Sequence, residues 1–232
     1  MSLEGDVFKW RKVIPDRLME YGFRKKGEVY SLESPLTEGF SVRLSYDGET
    51  FSGKVFDDEL EEEYTNFRLE DATGAFVTGI KQTYITFLEK VRDYCSDPRL
   101  FLTEQSVRLA ERIRRIYGVE PEFLWTKFPH YGVFREPKGG KWFGIIMNLD
   151  RGKVAAGESG ESDVMNVKLD EEAADYLEEG AYSCFHMDHK YWVSLILDDR
   201  LSDDFVFEMI EKSYQNAEKA GGKRCGKHKI LG

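Results

Sequence analysis

The sequence is poor in cysteine, proline and histidine, and it lacks any long apolar run. Its three cysteines, Cys95, Cys184 and Cys225, are far apart, with no CxxC pair among 232 residues. That argues against a disulfide framework and for a reducing compartment, so the expected location is the cytoplasm. No stretch reaches the ~18 consecutive apolar residues a membrane-spanning helix requires, and no membrane partner is expected. The opening residues, MSLEGDVFKWRKV, lack the apolar core of a secretory signal. Basic charge is in deficit too: 33 Lys and Arg stand against 43 Asp and Glu, for a net charge of −10. Nucleic-acid binding through bulk charge is thereby disfavoured, and such a role would need a continuous local positive surface. Catalytic motifs are missing as well: there is no GxSxG, P-loop, GxGxxG or HExxH. No enzyme activity, catalytic residue or cofactor is therefore expected.

What is present reads as two α+β units, residues 1–99 and 100–232, each an antiparallel β-meander flanked by N- and C-terminal helices. In the first, Phe8, Val13, Ile14, Leu18 and Tyr21 are spaced for one amphipathic helix ending at Gly22. Three strands are expected next, Glu28–Ser34, Phe40–Tyr46 and Thr50–Phe56, with turns at Ser34-Pro35 and Asp47-Gly48. Phe40, Val42, Leu44 and Tyr46 share one face by the two-residue period. The run DDELEEE at residues 57–63 holds six carboxylates and reads as a solvated loop. A long helix then carries Phe76, Ile80, Tyr84, Phe87, Leu88, Val91 and Cys95 on its apolar side, with Gly79 costing about 1 kcal/mol. Residues 96–103 read as a connector.

The second unit opens with a helix from Glu104 to Tyr117, stopped by Gly118, with Val107, Ala110, Ile113 and Ile116 on its buried side. Arg108, Arg112 and Arg115 form the opposite stripe, a solvated face supported by Glu104–Arg108 and Glu111–Arg115 at i,i+4 spacing. Strands are expected near Gly132–Glu136 and Lys141–Leu149, joined by Pro137-Lys138-Gly139-Gly140, and at Asp163–Leu169. Asp170 would cap a helix with Glu171 and Glu172 in its first turn and Gly180 at its end. A last hairpin, Tyr182–His186 with Tyr191–Leu197, leads to a final helix capped by Ser202. The basic tail from Lys219 to Lys229 reads as a frayed end.

An ordered set of segments in this unit resembles the MmcQ/YjbR family. The residues are Gly132-Val133-Phe134-Arg135, Lys141 through Met147, Val164 through Asp170, His186-Met187, Trp192, and Leu201-Ser202-Asp203 through Ser213-Tyr214. The resemblance covers residues 104–217 well. The first unit, through Glu63-Tyr64-Thr65-Asn66-Phe67, is similar to the N-terminal extension of longer bacterial members. It implies an antiparallel sheet with helices on one side, often compared with CyaY/frataxin-like folds. A DNA-binding role through a "double wing" of two β-hairpins has been proposed for the family. The chain departs from the usual pattern after His186-Met187, where Asp188-His189 replaces Asn-Lys.

The two wings would be hairpins 132–143 and 184–192. The expected DNA-contacting residues are Arg135, Lys138, Lys141, Trp142, Lys168, His186 and Lys190, with cations on phosphate and aromatics on bases. Lysine-bearing tips also serve solubility and discourage edge pairing. The alternative partner is another protein, with the chain acting as an adaptor. Cys184, His186, Asp188 and His189 crowd together, yet a closed zinc site wants four convergent ligands, so no metal site is expected.

Overall fold

Helices and antiparallel sheets form two units, Met1–Arg99 and Leu100–Gly232, in the computed structural model, which describes residues 2–69, 74–170 and 173–225. Pro15 decides how the first unit begins. The single helix expected over Phe8–Tyr21 is replaced by α1 (Leu3–Phe8), β1 (Arg11–Val13) and α2 (Pro15–Tyr21). Ile14 is extended, with φ −108° and ψ 106°, because the following proline ring clashes with a helical predecessor. Pro15 itself starts α2, where its missing N–H leaves no bond unmade. Gly22 closes α2 with φ 117°.

The first sheet is built from β2 (Arg24–Lys26), β3 (Val29–Thr37), β4 (Phe40–Tyr46), β5 (Phe51–Asp57) and β6 (Glu62–Glu63), in that spatial order. Phe40, Val42, Leu44 and Tyr46 are buried on one face, as the alternation requires. Pro35 lies inside β3 rather than in a turn, and a register shift between Pro35 and Thr37 accommodates it. The acidic segment is only partly a loop. Its last two residues pair with Phe56 and Asp57, and Lys54 Nζ lies 2.8 Å from Glu63 Oε2. Helix α3 (Ala75–Cys95) covers the apolar face with Ile80, Tyr84, Leu88, Val91 and Cys95, whereas Phe76 stays exposed. The expected connector contains β7 (Ser96–Pro98), which pairs with β1.

The second unit has α4 (Glu104–Tyr117), β8 (Glu122–Phe123), β9 (Gly132–Arg135), β10 (Trp142–Asp150), β11 (Glu161–Lys168), β12 (Tyr182–Ser183), β13 (Trp192–Leu197) and α5 (Asp203–Cys225). Its sheet runs β12-β13-β11-β10-β9-β8. The end is therefore not a simple meander: β13 sits beside β11 and pushes β12 to the edge. The physical reason is burial. Val193 through Leu197 are all buried and suit a central strand, while two-residue β12 is half-exposed.

Helices α4 and α5 pack on one face of this sheet, where Leu109, Ile113, Phe207 and Ile210 meet Phe143, Met165, Val167 and Leu195. The other face, with Val133, Ile145, Met147, Val164 and Ile196, is covered by Trp125, Tyr131, Val154 and Phe185 from loops. Helix α4 is rotated from expectation: Gln105, Ser106, Leu109 and Ile113 are buried, and Ile116 is exposed. Gln105 is drawn inward by two bonds, donating to Leu201 O at 2.7 Å and accepting from Asp199 N at 3.0 Å. The arginine stripe is ion-paired, but across to α5: Arg108 Nε lies 2.7 Å from Asp203 Oδ2 and Arg112 Nη1 2.6 Å from Asp204 Oδ1. These acids occupy the first turn of α5, where the helix dipole favours them. Ser202 Oγ accepts from Phe205 N at 3.2 Å, the expected cap. The expected helix after Asp170 is a 3-10 turn over Asp175–Glu179; Glu171 and Glu172 lie outside the described residues. Helix α5 continues through Cys225, so the basic segment begins within a helix. Its end, 226–229, lies outside the described residues.

Candidate functional site

The hairpin β9–β10 is shaped by one buried carboxylate. Glu136 accepts from Lys138 N at 2.7 Å and from Gly139 N at 2.5 Å. Gly140, at φ 65°, then takes the left-handed conformation that turns the chain back. This geometry brings Lys141 and Trp142 round beside Arg135. On the adjoining strand, Lys168 N bonds Ser213 Oγ at 2.8 Å, and Asn216 Nδ2 bonds Lys168 O at 3.3 Å. Those two contacts hold the end of β11 against α5.

The result is an open concavity of about 460 Å³, lined by Arg135, Gly140, Lys141, Trp142, Lys168, Met187, Trp192, Asn216, Ala217 and Ala220. Two tryptophans, a methionine and two small alanines supply its apolar surface. Three cations stand around it, and among the described residues no acidic side chain lines it. Arg135 lies 5.3 Å from the Trp142 ring centroid and pairs with Glu122 at 2.9 Å. Lys168 pairs with Asp170 at 2.8 Å. Lys141 has no ion-pair partner among the described residues, so its charge faces the concavity uncompensated. A planar ring could lie on the indoles there while an anionic group meets the cations.

Four of the seven expected contact residues, Arg135, Lys141, Trp142 and Lys168, thus converge. The other three lie outside the lining. Lys138 is 81% exposed and pairs with Glu218 on α5 at 3.0 Å, a link that raises its pKa and ties the hairpin tip down. His186 has φ 65° and rests on Phe185, with ring centroids 3.9 Å apart. Lys190 Nζ lies 5.1 Å from the Tyr191 ring. From the second wing it is Met187 and Trp192 that reach the concavity; both stand among the residues that carry the family resemblance but not among the expected contact residues. Trp192 sits in the run YW just before an apolar strand, a position that marks a strand end near a rim. Asn216 and the alanines of α5 carried no signal.

The crowded Cys184–His189 segment leaves the strand after Ser183, so its side chains do not share a strand face. Cys184 is buried, which pushes its thiol up to about 11. His189 Nδ1 lies 3.0 Å from Ser183 Oγ, and Asp188 Oδ1 accepts from Lys190 N at 3.0 Å. Among the described residues no three His, Cys, Asp or Glu side chains are grouped to hold a metal ion. Nor is any described helix long and apolar enough to cross a membrane.

Comparison with known proteins places this unit in a family. The model of the YjbR family matches residues 114–216. The "Uncharacterized protein YyaQ" of Bacillus subtilis (strain 168) is 31% identical over 106 residues, which cover 45% of this chain and 90% of that protein. A crystal structure of a protein from Pseudomonas syringae shares 26% identity over 50% of this chain and 98% of its own, with a TM-score of 0.46. A solution NMR structure from the same organism shares 26% identity over 48% and 91%, with a TM-score of 0.44. The matched span contains every residue of the concavity except those at the end of α5. By the identity and extent of the Bacillus match, the chain belongs to the MmcQ/YjbR family.

Proposed function

We propose that the second unit is a non-enzymatic DNA-binding module and that the concavity between β10, β11 and α5 is its contact site. One observation carries the reading: Arg135, Lys141 and Lys168 surround two tryptophans, and among the described residues no acidic side chain is in the lining. Cations at a rim neutralise phosphate, and an indole face accepts any base. In this reading Lys141 makes the main phosphate contact, because Arg135 and Lys168 must exchange Glu122 and Asp170 for the ligand. Trp142 and Trp192 hold a base. Lys138, His186 and Lys190 are peripheral, since their side chains do not line the site.

The test is binding of labelled DNA to the full chain across a salt series. Affinity should fall steeply with salt, and Lys141→Glu should abolish it, while Lys138→Ala should change it less than about twofold. Absence of any DNA affinity at low salt would favour the adaptor reading, in which this unit docks a protein.

A further inference from the structure

Residues 122–131, EFLWTKFPHY, carry four of the chain's Phe, Trp and Tyr residues in ten positions. Three apolar side chains there face solvent: Phe123 is 37%, Leu124 44% and Phe128 42% exposed. The segment is nonetheless fixed in place. Glu122 and Phe123 pair with β9, Phe128 N donates to Trp125 O and Tyr131 N to Phe128 O, both at 3.1 Å.

Trp125 and Tyr131 have a packing role against the sheet. Phe128 is more exposed and stacks on Tyr131, with centroids 4.7 Å apart and planes 16° from parallel. The rings run on from the concavity: Trp142 to Trp125 at 5.9 Å, Trp125 to Tyr131 at 6.4 Å, then Phe128. A cation stands at each end, Arg135 by Trp142 and Lys127 5.7 Å from the Phe128 ring. The one acid of the segment, Glu122, is taken by Arg135.

From this we infer that residues 122–131 carry a single nucleic-acid strand out of the concavity, with an unpaired base stacked on Phe128; the inference rests on the function proposed above. A continuous aromatic line with cations at both ends matches a strand that alternates ring and phosphate. A duplex hides its ring faces in its own stack and has nothing to offer Phe128. A purely apolar protein partner would gain nothing from the flanking cations.

The experiment measures fluorescence anisotropy of labelled oligothymidylate, alone and annealed to oligoadenylate, with the full chain at low salt. The single strand should bind at least about tenfold more tightly than the duplex. Phe128→Ala should weaken the single strand by about tenfold and leave the duplex unchanged, and Phe128→Trp should restore it. Equal affinity for both forms, or no effect of Phe128→Ala on oligothymidylate, overturns the inference. If Lys141→Glu still abolishes binding in that case, the DNA reading stands without it. If the wild-type chain binds neither form, both fall. A wild-type dimer in light scattering that Phe128→Ala splits would make the segment a protein contact and also overturn the inference.

Discussion

Glu4 shows how much one side chain can hold in the first unit. Only 2% exposed, it accepts a hydrogen bond from the Tyr84 hydroxyl and pairs with Arg68 Nη2 at 2.6 Å. Arg68 also donates to Gly53 O at 2.7 Å. Position 53 must be glycine, because a Cβ there would lie 1.8 Å from the Tyr84 hydroxyl oxygen. Burial by itself raises the Glu4 carboxyl, but the bonds from Arg68 and Tyr84 outweigh it, and its pKa falls below 4.5. A lowered folded pKa gives stability that is present above the unfolded value and lost as pH drops through the folded one. Glu4→Ala should therefore cost about 2–3 kcal/mol in urea unfolding at neutral pH, reduced from the fully buried case because Arg68 is part-exposed. Glu4→Gln should flatten this part of the acid dependence. Asp163 is the opposite case. It is buried, with Oδ1 lacking a hydrogen-bond partner among the described residues and Oδ2 accepting from Thr103 N at 2.9 Å. Burial raises its pKa above 3.8, so its carboxylate lowers stability as pH rises through the folded value. Asp163→Asn should match or exceed the wild-type melting temperature at pH 8 and lose that advantage in acid. Neither residue carried a signal in the sequence, since a lone acid in a helix or strand reads as surface.

At the scale of elements, local chemistry was read well where a backbone rule governs. Gly22 and Gly118 end their helices with positive φ, Asp47 caps its own turn by bonding Glu49 N and Thr50 N, and Ser202 caps α5. Replacing Ser202 with Ala should cost about 1 kcal/mol of unfolding free energy, read from a denaturant midpoint shift at unchanged slope. The reading failed where an element depends on a distant partner. Strands β1 and β7 are three residues each and exist only because Arg11–Val13 meets Ser96–Pro98 across the chain. The face of α4 was read in part: Val107, Ala110 and Ile113 pack on the core, but the most buried stripe is turned toward Gln105 by its bonds to Leu201 and Asp199, and a polar side chain does not announce that. The Arg108 and Arg112 stripe was recognised as ion-paired, but the acids that meet it, Asp199, Asp203 and Asp204, lie far along the chain, in the turn before α5 and in its first turn.

The whole molecule is acidic, and any affinity for nucleic acid must come from a small area. Three cations about the concavity and Lys127 beyond it set the scale: for a single strand the slope of log affinity against log salt should be about −3 or shallower. It should be shallower if Glu122 and Asp170 keep hold of Arg135 and Lys168. Lys141→Ala should flatten that slope by about 0.7, a change readable from the same titrations. The first unit has its own core, built on Leu18, Phe23, Val42, Leu88 and Val91. Variants there should leave the salt slope unchanged.

Composition, caps and the two-residue and helical periods were enough to determine an α+β chain in two units, its principal strands and its final helix. The hairpin wings that the family resemblance implied added four residues of the concavity, because Arg135, Lys141 and Trp142 share one hairpin and Lys168 ends the neighbouring strand. Only the tertiary structure decided that Met187, Trp192 and α5 complete the site, that Lys138 serves Glu218, and that β13 displaces β12 to the edge. Periodicity records which way a side chain points from its own element. Which elements come together depends on burying whole faces, and that is settled by packing between residues far apart in the chain.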